Sequence, residues 1–516
     1  MISLQKDTPD RNTLSVLLRF AVGAGLLWQI STDFAASNFK NVFLFAAGAV
    51  VLTVIGLIFG NWRSGIYFFL GWLLFEDLIR KYLGNNMAIY FGKDMLVGVI
   101  YLALLMSRTR RDTERFHPPF KYALSLFFLL GLVQAFNSQS PSLFYGLLGL
   151  KLYFYYIPLM FVSYALMRTE RDLHRFLVIN MAIAGVIAMV GIMQGIFGAD
   201  FLNPHSGAEI EELGHLVRQT RAGIAVPRPC SVFVSDGRFA SYIVLAFILG
   251  LGAAGYLLLR TKRGRAIVFP ALAMIGVSAV MTGSRSAFVC TGASLLVLSA
   301  GMLWGAPQAS EDSYRLFKAI RRSFILTALA LGLTITIFPQ QIGARLTFYQ
   351  ETLSPWSPAY EVSSRIGSYP IGNFLGAFAD SGWVIGHGIG TASLGGQYVT
   401  RILGAPPTNI GVESGPGILV LEFGILGLVL WLAWTGWLVV TAAKVVLGLR
   451  RTWAFPIALA ILWYSFLLLF PFTYGGIQAY QNFVYNAYFW LLVGVLFRLP
   501  ALVKDGAQTM EPFRAG

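Results

Sequence analysis

Cysteine is almost missing from this chain: of 516 residues, only Cys230 and Cys290 carry a thiol. Two isolated thiols exclude a disulfide framework, and they lack the spacing of a zinc site. Charge is scarce as well, at 12% of residues against roughly 25% in ordinary soluble domains, and this excludes the soluble class. There is no D-x-D pair to hold a magnesium-bound sugar nucleotide and no H-x-x-x-H. His117, His174, His205, His215 and His387 are scattered, so neither a metal site nor any cofactor is expected. The opening MISLQKDTPDRN is polar and lacks the cleavage pattern of a signal peptide.

Apolar residues are abundant instead, at 56% of the chain. They fall in runs of about 18 to 25 residues, long enough for a ~30 Å hydrocarbon core. About fourteen spans are expected, near 14–31, 40–59, 64–80, 90–106, 121–137, 143–166, 175–198, 237–259, 266–283, 286–305, 323–339, 414–441, 453–472 and 478–498. The fold class is therefore all-α, a polytopic membrane protein of about 12–14 transmembrane helices, with the first span as its targeting element.

The net charge of +15 does not point to nucleic acid, because the basic residues sit in short loops between spans. Residues 107–116, 168–175, 260–265, 315–322 and 449–453 all fall on one side, which is expected to be cytoplasmic together with both termini. The opposite face carries two long connections, 199–236 and 340–413, without obvious helical pattern. Loops of that length are usually functional. The expected organisation is N-terminal helices in 1–198, a loop in 199–236, central helices in 237–339, a large loop in 340–413, and C-terminal helices with a cytoplasmic tail in 414–516. Within the first loop, residues 209–223 read as an amphipathic surface segment with acid–base pairing.

Ionisable residues at membrane depth are costly and need reasons. Glu76, Asp77, Arg80, Lys81, Lys93 and Asp94 are expected at one membrane boundary, paired and snorkelling or else forming a lipid headgroup site, with Lys151 nearby in sequence character. Three arginines fall on the non-cytoplasmic side: Arg228 in RPCSVF, Arg285 in MTGSRSAF and Arg365 in SSRIGS. Guanidinium groups bind phosphate oxygens in a bidentate fork, so a convergent trio would clamp a pyrophosphate. Two acids stand out in GVESGPGILVLEFGILGL: Glu413 before the apolar run and Glu422 inside it. Nine residues place them about 180° apart around a helix and about 13 Å apart along it, so they cannot act as a pair on one sugar. Glu422 is read as a brace pairing with a buried basic or polar group. Gly-Pro-Gly at 415–417 is read as a close turn before the helix begins.

RPCSVF, GSRSAF, the GHGIG loop ending and ESGPGILVLEFGILGL, in that order over about 220–430, together resemble the O-antigen ligase and polysaccharide polymerase superfamily. The resemblance implies a GT-C-like integral membrane glycosyltransferase with a large periplasmic loop, in the bacterial inner membrane. It implies a glycan on undecaprenyl pyrophosphate as donor and no metal. Arg228, Arg285 and Arg365 match the family's arginines, and Gly424 and Gly427 its glycine pair. Where the family often has histidine, this chain has Glu413.

A positioned carboxylate can take the acceptor's proton, and partial burial is expected to raise its proton affinity towards a useful range. The candidate catalytic residues are Glu413 and Arg365, with Arg228, Arg285 and Arg365 on the pyrophosphate and His387 and Glu422 as accessory candidates. The expected function is polymerisation of lipid-linked repeat units into exopolysaccharide or O-antigen. Transfer of a finished glycan to lipid A core or protein is the first alternative, and a transporter or flippase of lipid-linked sugars the second. Expected partners are the lipid-linked oligosaccharide, membrane lipids, and a chain-length regulator or other assembly proteins.

Overall fold

The structure, a computed structural model, describes residues 39–83, 87–107, 116–198, 200–203, 217–221, 223–305, 338–357, 360–404 and 412–508, with scattered positions between 321 and 337. The expected span 14–31, about half of span 323–339, most of the basic loops 107–116 and 315–322, residues 209–216, His205 and His215 lie outside the described residues.

In chain order the helices are α1 (Phe39–Gly60), α2 (Trp62–Tyr82), α3 (Met87–Met106), α4 (Lys121–Ala135), α5 (Leu143–Phe154), α6 (Leu159–Leu166) and α7 (Glu170–Phe197). A small antiparallel hairpin, β1 (Val217–Gln219) and β2 (Ala225–Pro227), precedes α8 (Asp236–Leu259), α9 (Arg265–Met281) and α10 (Arg285–Gly305). Then come α11 (Pro339–Leu353), a π-helical turn (Ser364–Ser368), α12 (Tyr369–Gly376), α13 (Leu394–Leu403), α14 (Gly415–Gly448) and α15 (Phe455–Leu467). A second π-helical turn (Leu468–Phe472) and two short helical turns lead into α16 (Phe483–Gln508).

Among the described residues, eight helical stretches are long and apolar enough to cross a membrane. Gly48–Gly60, Lys121–Ala135 and Arg265–Met281 are shorter apolar helices over three further expected spans, and α2 covers another. Helix is the solution here because an apolar segment without water must satisfy its own backbone donors and acceptors. Helix starts are marked in the sequence. Thr169 and Asp172 form a reciprocal capping box at α7, and the Ser235 hydroxyl accepts from the Arg238 N–H at α8.

The described contacts divide the chain into two units. The smaller comprises residues Met1–Phe68 and Met95–Met106. Its buried apolar side chains include Ile58, Trp62, Ile66, Val97 and Ile100, and the Asn61 side chain accepts from the Ser64 N–H where α2 begins. The larger comprises Phe69–Asp94 and Ser107–Gly516 and holds every residue discussed below. Its interior is aromatic: Phe127 meets Phe423 at 5.0 Å between ring centres, Trp431 meets Tyr480 at 4.9 Å, and Trp434 stacks on Trp490 at 5.8 Å. Such pairs add about 0.5–1.5 kcal/mol each beyond their burial.

Several expectations change. The span 143–166 is two helices, broken at Tyr155–Pro158; Pro158 has no N–H to continue the helical ladder. The connection 340–413 is not devoid of helix but contains α12, α13, a π-helical turn and most of α11. These helices are short and carry one apolar side, which a span-length hydropathy reading does not register. Ala344, Phe348 and Tyr349 of α11 are buried with Val226 of the hairpin. The end of the supposed amphipathic segment 209–223 is strand β1, with Val217 opposite Pro227. Gly415 and Pro416 do not precede the helix; they are its first turn, capped by the Ser414 hydroxyl accepting from the Gly417 N–H at 3.2 Å.

Candidate functional site

The arginines come from three separate segments, each held in place by its own local chemistry. Arg228 follows β2. The next residues are pinned to α7, where the Gln194 side-chain oxygen accepts from the N–H groups of Cys230 (3.1 Å) and Ser231 (2.6 Å). Arg285 is the first residue of α10. It follows a turn in which Gly283 has φ +62°, a left-handed conformation suited to glycine. That turn packs against Arg228: a Cβ at Gly283 would lie 3.1 Å from the Arg228 Cγ. Arg365 sits in the π-helical turn Ser364–Ser368, a wide helical geometry often found at functional sites.

Carboxylates link these groups. Arg228 pairs with Asp236 at 2.6 Å. Arg285 pairs with Glu361 at 2.7 Å. Glu361 also lies 4.0 Å from Arg365, and Arg365 is 3.7 Å from Glu413. The structure therefore joins Arg285, Glu361, Arg365 and Glu413 in one chain of charges, with Arg228 packed beside the Arg285 turn. Burial holds the Arg228 pKa below the usual guanidinium value; Asp236 opposes this, while the like charges of Arg218 and Arg285 add to it.

Arg365 and Glu413 are loosely held. Their side chains are 60% and 63% exposed, the separation is too long for a direct hydrogen bond, and exposed pairs of this kind contribute about 0–1 kcal/mol. The expected partial burial of Glu413 is thus absent. Its position ahead of the Ser414 cap leaves the side chain on the open side of the helix start.

Glu422, by contrast, is fully buried. One carboxylate oxygen accepts from the Tyr153 hydroxyl at 2.8 Å and the other from the Ala392 N–H at 3.0 Å. Its partners named here are polar rather than basic. The surrounding backbone is unusual: α14 is interrupted at Gly424, where φ is +73° and ψ −177°. The GHGIG loop supplies the missing ladder. The N–H groups of His387 and Gly388 donate to the carbonyls of Leu421 (2.7 Å) and Glu422 (3.2 Å), and the Ile425 N–H donates to the Trp383 carbonyl at 3.0 Å. From α4 and the residues after it, Gln134 and Asn137 side chains donate to the Ile385 and Gly386 carbonyls. The His387 ring lies 2.6 Å from Asp380, not in the arginine group. The Asp380 pKa is lowered: slight burial opposes this, but the Gly382 N–H and His387 favour the ionised carboxylate. Tyr153→Phe should remove one of the donors to the buried Glu422 carboxylate, at a cost of about 1 kcal/mol, read as a lower thermal midpoint of the detergent-purified protein.

Five of the six ionisable residues between Glu76 and Asp94 do not snorkel. Glu76, Asp77, Arg80, Lys93 and Asp94 are all buried. Lys93 pairs with Glu76 at 3.1 Å, Lys151 with Asp94 at 2.6 Å, and Asp77 with both Arg80 (3.0 Å) and Arg238 (2.8 Å). Lys93 also lies 3.3 Å from the centre of the Tyr90 ring. Two of the group reach the arginine-bearing loop: Lys81 donates to Asn203 (2.8 Å) and the Ser231 carbonyl (3.0 Å), and Asp77 accepts from the Val234 N–H at 3.3 Å. The pairing was expected; the snorkelling is corrected, because these side chains are buried in the protein, where each finds an opposite charge.

Glu361 and Asp236 were not picked out in the sequence. Glu361 stands four residues before Arg365, a spacing that signals an acid–base pair on a helix; Asp236 has no such cue beyond its place at a helix start. A cavity of about 310 Å³, mostly apolar, is lined by Ser286 and Ala287, the residues after Arg285, with Val244, Leu468, Phe472 and Tyr485. Among the described residues no group of three His, Cys, Asp or Glu gathers as a metal site would require.

Fold and site together define an all-α polytopic membrane protein carrying an arginine–carboxylate cluster at its helix starts. No family model, curated protein or solved structure matches the chain.

Proposed function

We propose that the chain is a metal-independent membrane glycosyltransferase of GT-C-like architecture that polymerises undecaprenyl-pyrophosphate-linked repeat units into exopolysaccharide or O-antigen. The observation that supports this reading best is the run Arg285–Glu361–Arg365–Glu413, which joins cations suited to a pyrophosphate to a carboxylate able to take a proton. The site faces the periplasm of a bacterial inner membrane in this reading, and the basic loops face the cytoplasm.

The chemistry follows from the groups present. The acceptor hydroxyl of one lipid-linked glycan attacks the anomeric carbon of another. Its proton passes to the Glu413 carboxylate while the bond from that carbon to the lipid pyrophosphate breaks. The leaving pyrophosphate takes the electron pair, and Arg228, Arg285 and Arg365 exchange their carboxylate partners for its oxygens. Attack opposite the leaving group inverts the anomeric centre. The mostly apolar cavity beside Ser286 offers the first isoprene units a place next to the cluster. The same chemistry with lipid A core or protein as acceptor would make the chain a ligase.

The test is elongation by the purified protein in vesicles that contain only lipid-linked repeats. Chain lengthening is the expected result; transfer that begins only when core lipid or protein is added would overturn the polymerase reading. Arg365→Ala should lower kcat/KM by about 100-fold, the usual cost of removing one transition-state charge donor. Because Arg365 is largely exposed, the wild-type rate should also fall as salt rises above ~0.1 M.

A further inference from the structure

Arg345 has no part in the chemistry above, yet it is the one buried arginine described here whose partners are all backbone carbonyls. It lies on α11 with 0% exposure. Nε donates to the Met281 carbonyl at 2.9 Å. One terminal nitrogen donates to Gln341 at 2.6 Å, and the other to Pro227 at 2.9 Å and Gly195 at 3.4 Å. These carbonyls belong to four segments: α11 itself, the end of α7, the end of β2, and the end of α9. Pro227 immediately precedes Arg228, and Met281 opens the turn that ends in Arg285. Among the described residues Arg345 meets no carboxylate.

We infer that Arg345 is a positioning residue: its planar fork sets the spacing between Arg228 and Arg285, and so the width of the clamp. This rests on the pyrophosphate reading given above. The choice of residue type fits that role. Burying a cation without a counter-ion is costly, and burial pulls the Arg345 pKa down to about 10, still charged at neutral pH. Packing alone would be met more cheaply by an apolar side chain. What only arginine supplies is a rigid, flat array of donors that fixes several carbonyls in one plane. Gly195 leaves room for it, since a Cβ there would lie 3.3 Å from a guanidinium nitrogen.

The experiment uses the full chain in vesicles with lipid-linked repeats, comparing Arg345→Lys alone and combined with Arg228→Ala, per folded molecule. Lysine keeps the charge but loses the fork. Arg345→Lys should lower kcat/KM about tenfold, in keeping with the steep dependence of rate on sub-ångström placement. In the Arg228→Ala background it should cost less than about threefold, because the residue through which it acts is gone. Equal fold-losses in both backgrounds, or a kcat/KM within twofold of wild type, would overturn the inference. A lysine variant that cannot be recovered folded would overturn it too, assigning Arg345 to the fold alone. Stabilisation of wild type by undecaprenyl pyrophosphate, read as a thermal shift, separates the two readings. If wild type neither elongates nor shifts, the transferase proposal itself fails.

Discussion

Glu413→Gln is expected to abolish chain elongation, lowering kcat by about 100-fold or more, the range for losing a positioned general base. The fold should be untouched. The Glu413 side chain is 63% exposed and its nearest charged partner, Arg365, is 3.7 Å away, so the stability change should stay within about 0.5 kcal/mol. That separation makes the result clean: loss of rate with an unchanged thermal midpoint assigns chemistry, not folding. Glu413→His, which keeps a side chain able to accept a proton at neutral pH, should retain measurable elongation. Full polymer yield from Glu413→Gln would defeat the catalytic proposal outright. The openness of Glu413 also defines what substrate must do. A carboxylate in water is a weak base, and only the bound glycan can exclude that water.

The second large effect concerns the fold. Gly424→Ala should prevent stable accumulation of the protein, costing about 3 kcal/mol or more. Part of this is backbone strain: φ +73° with ψ −177° is a conformation open essentially to glycine, worth about 1–3 kcal/mol for other residues. The rest is steric, because an added Cβ would run into the Val384 carbonyl oxygen, and overpacking of this kind costs about 1–3 kcal/mol. Gly436→Ala on the same helix is the control, since nothing lies within 4 Å of its added methyl. It should leave the midpoint unchanged or slightly raised. Comparable yields and midpoints for the two variants would show that the break in α14 does not hold the GHGIG loop as described. If the break does hold it, Gly424→Ala also releases Glu422, whose Ala392 donor belongs to the chain that follows the loop.

Both effects trace to one short stretch, residues 411–428, and its two acids divide along the same line. Glu413 lies ahead of the Ser414 cap and is solvated; Glu422 lies one residue pair before the Gly424 break and is fully buried. A helical projection was enough to separate them, because nine residues at 100° each is a local fact. The projection could not show that the helix stops being regular at Gly424, nor that a loop some forty residues earlier supplies the hydrogen bonds there. Glycine in an apolar run is compatible with a smooth helix, a close packing contact or a break, and only the neighbouring backbone decides among them.

What the sequence determined by itself is the class of the molecule and, among the described residues, the position of its long apolar helices. Apolar runs of membrane length must be helical, since each peptide group has to find its partner within the segment. Caps such as Thr169, Ser235 and Ser414 mark the starts locally. The candidate arginines were legible too, as permanent charges in chains of low polarity. The tertiary structure alone decided their company: Glu361 between Arg285 and Arg365, Gly283 against Arg228, and Arg345 gripping carbonyls 64, 118 and 150 residues away. It also decided that Glu76 and Lys93 are buried in the protein as a pair and do not snorkel. The physical reason is common to all of these. Helix formation is set within a few residues, whereas the burial and pairing of a charge depend on which distant segments supply its opposite charge or its carbonyls.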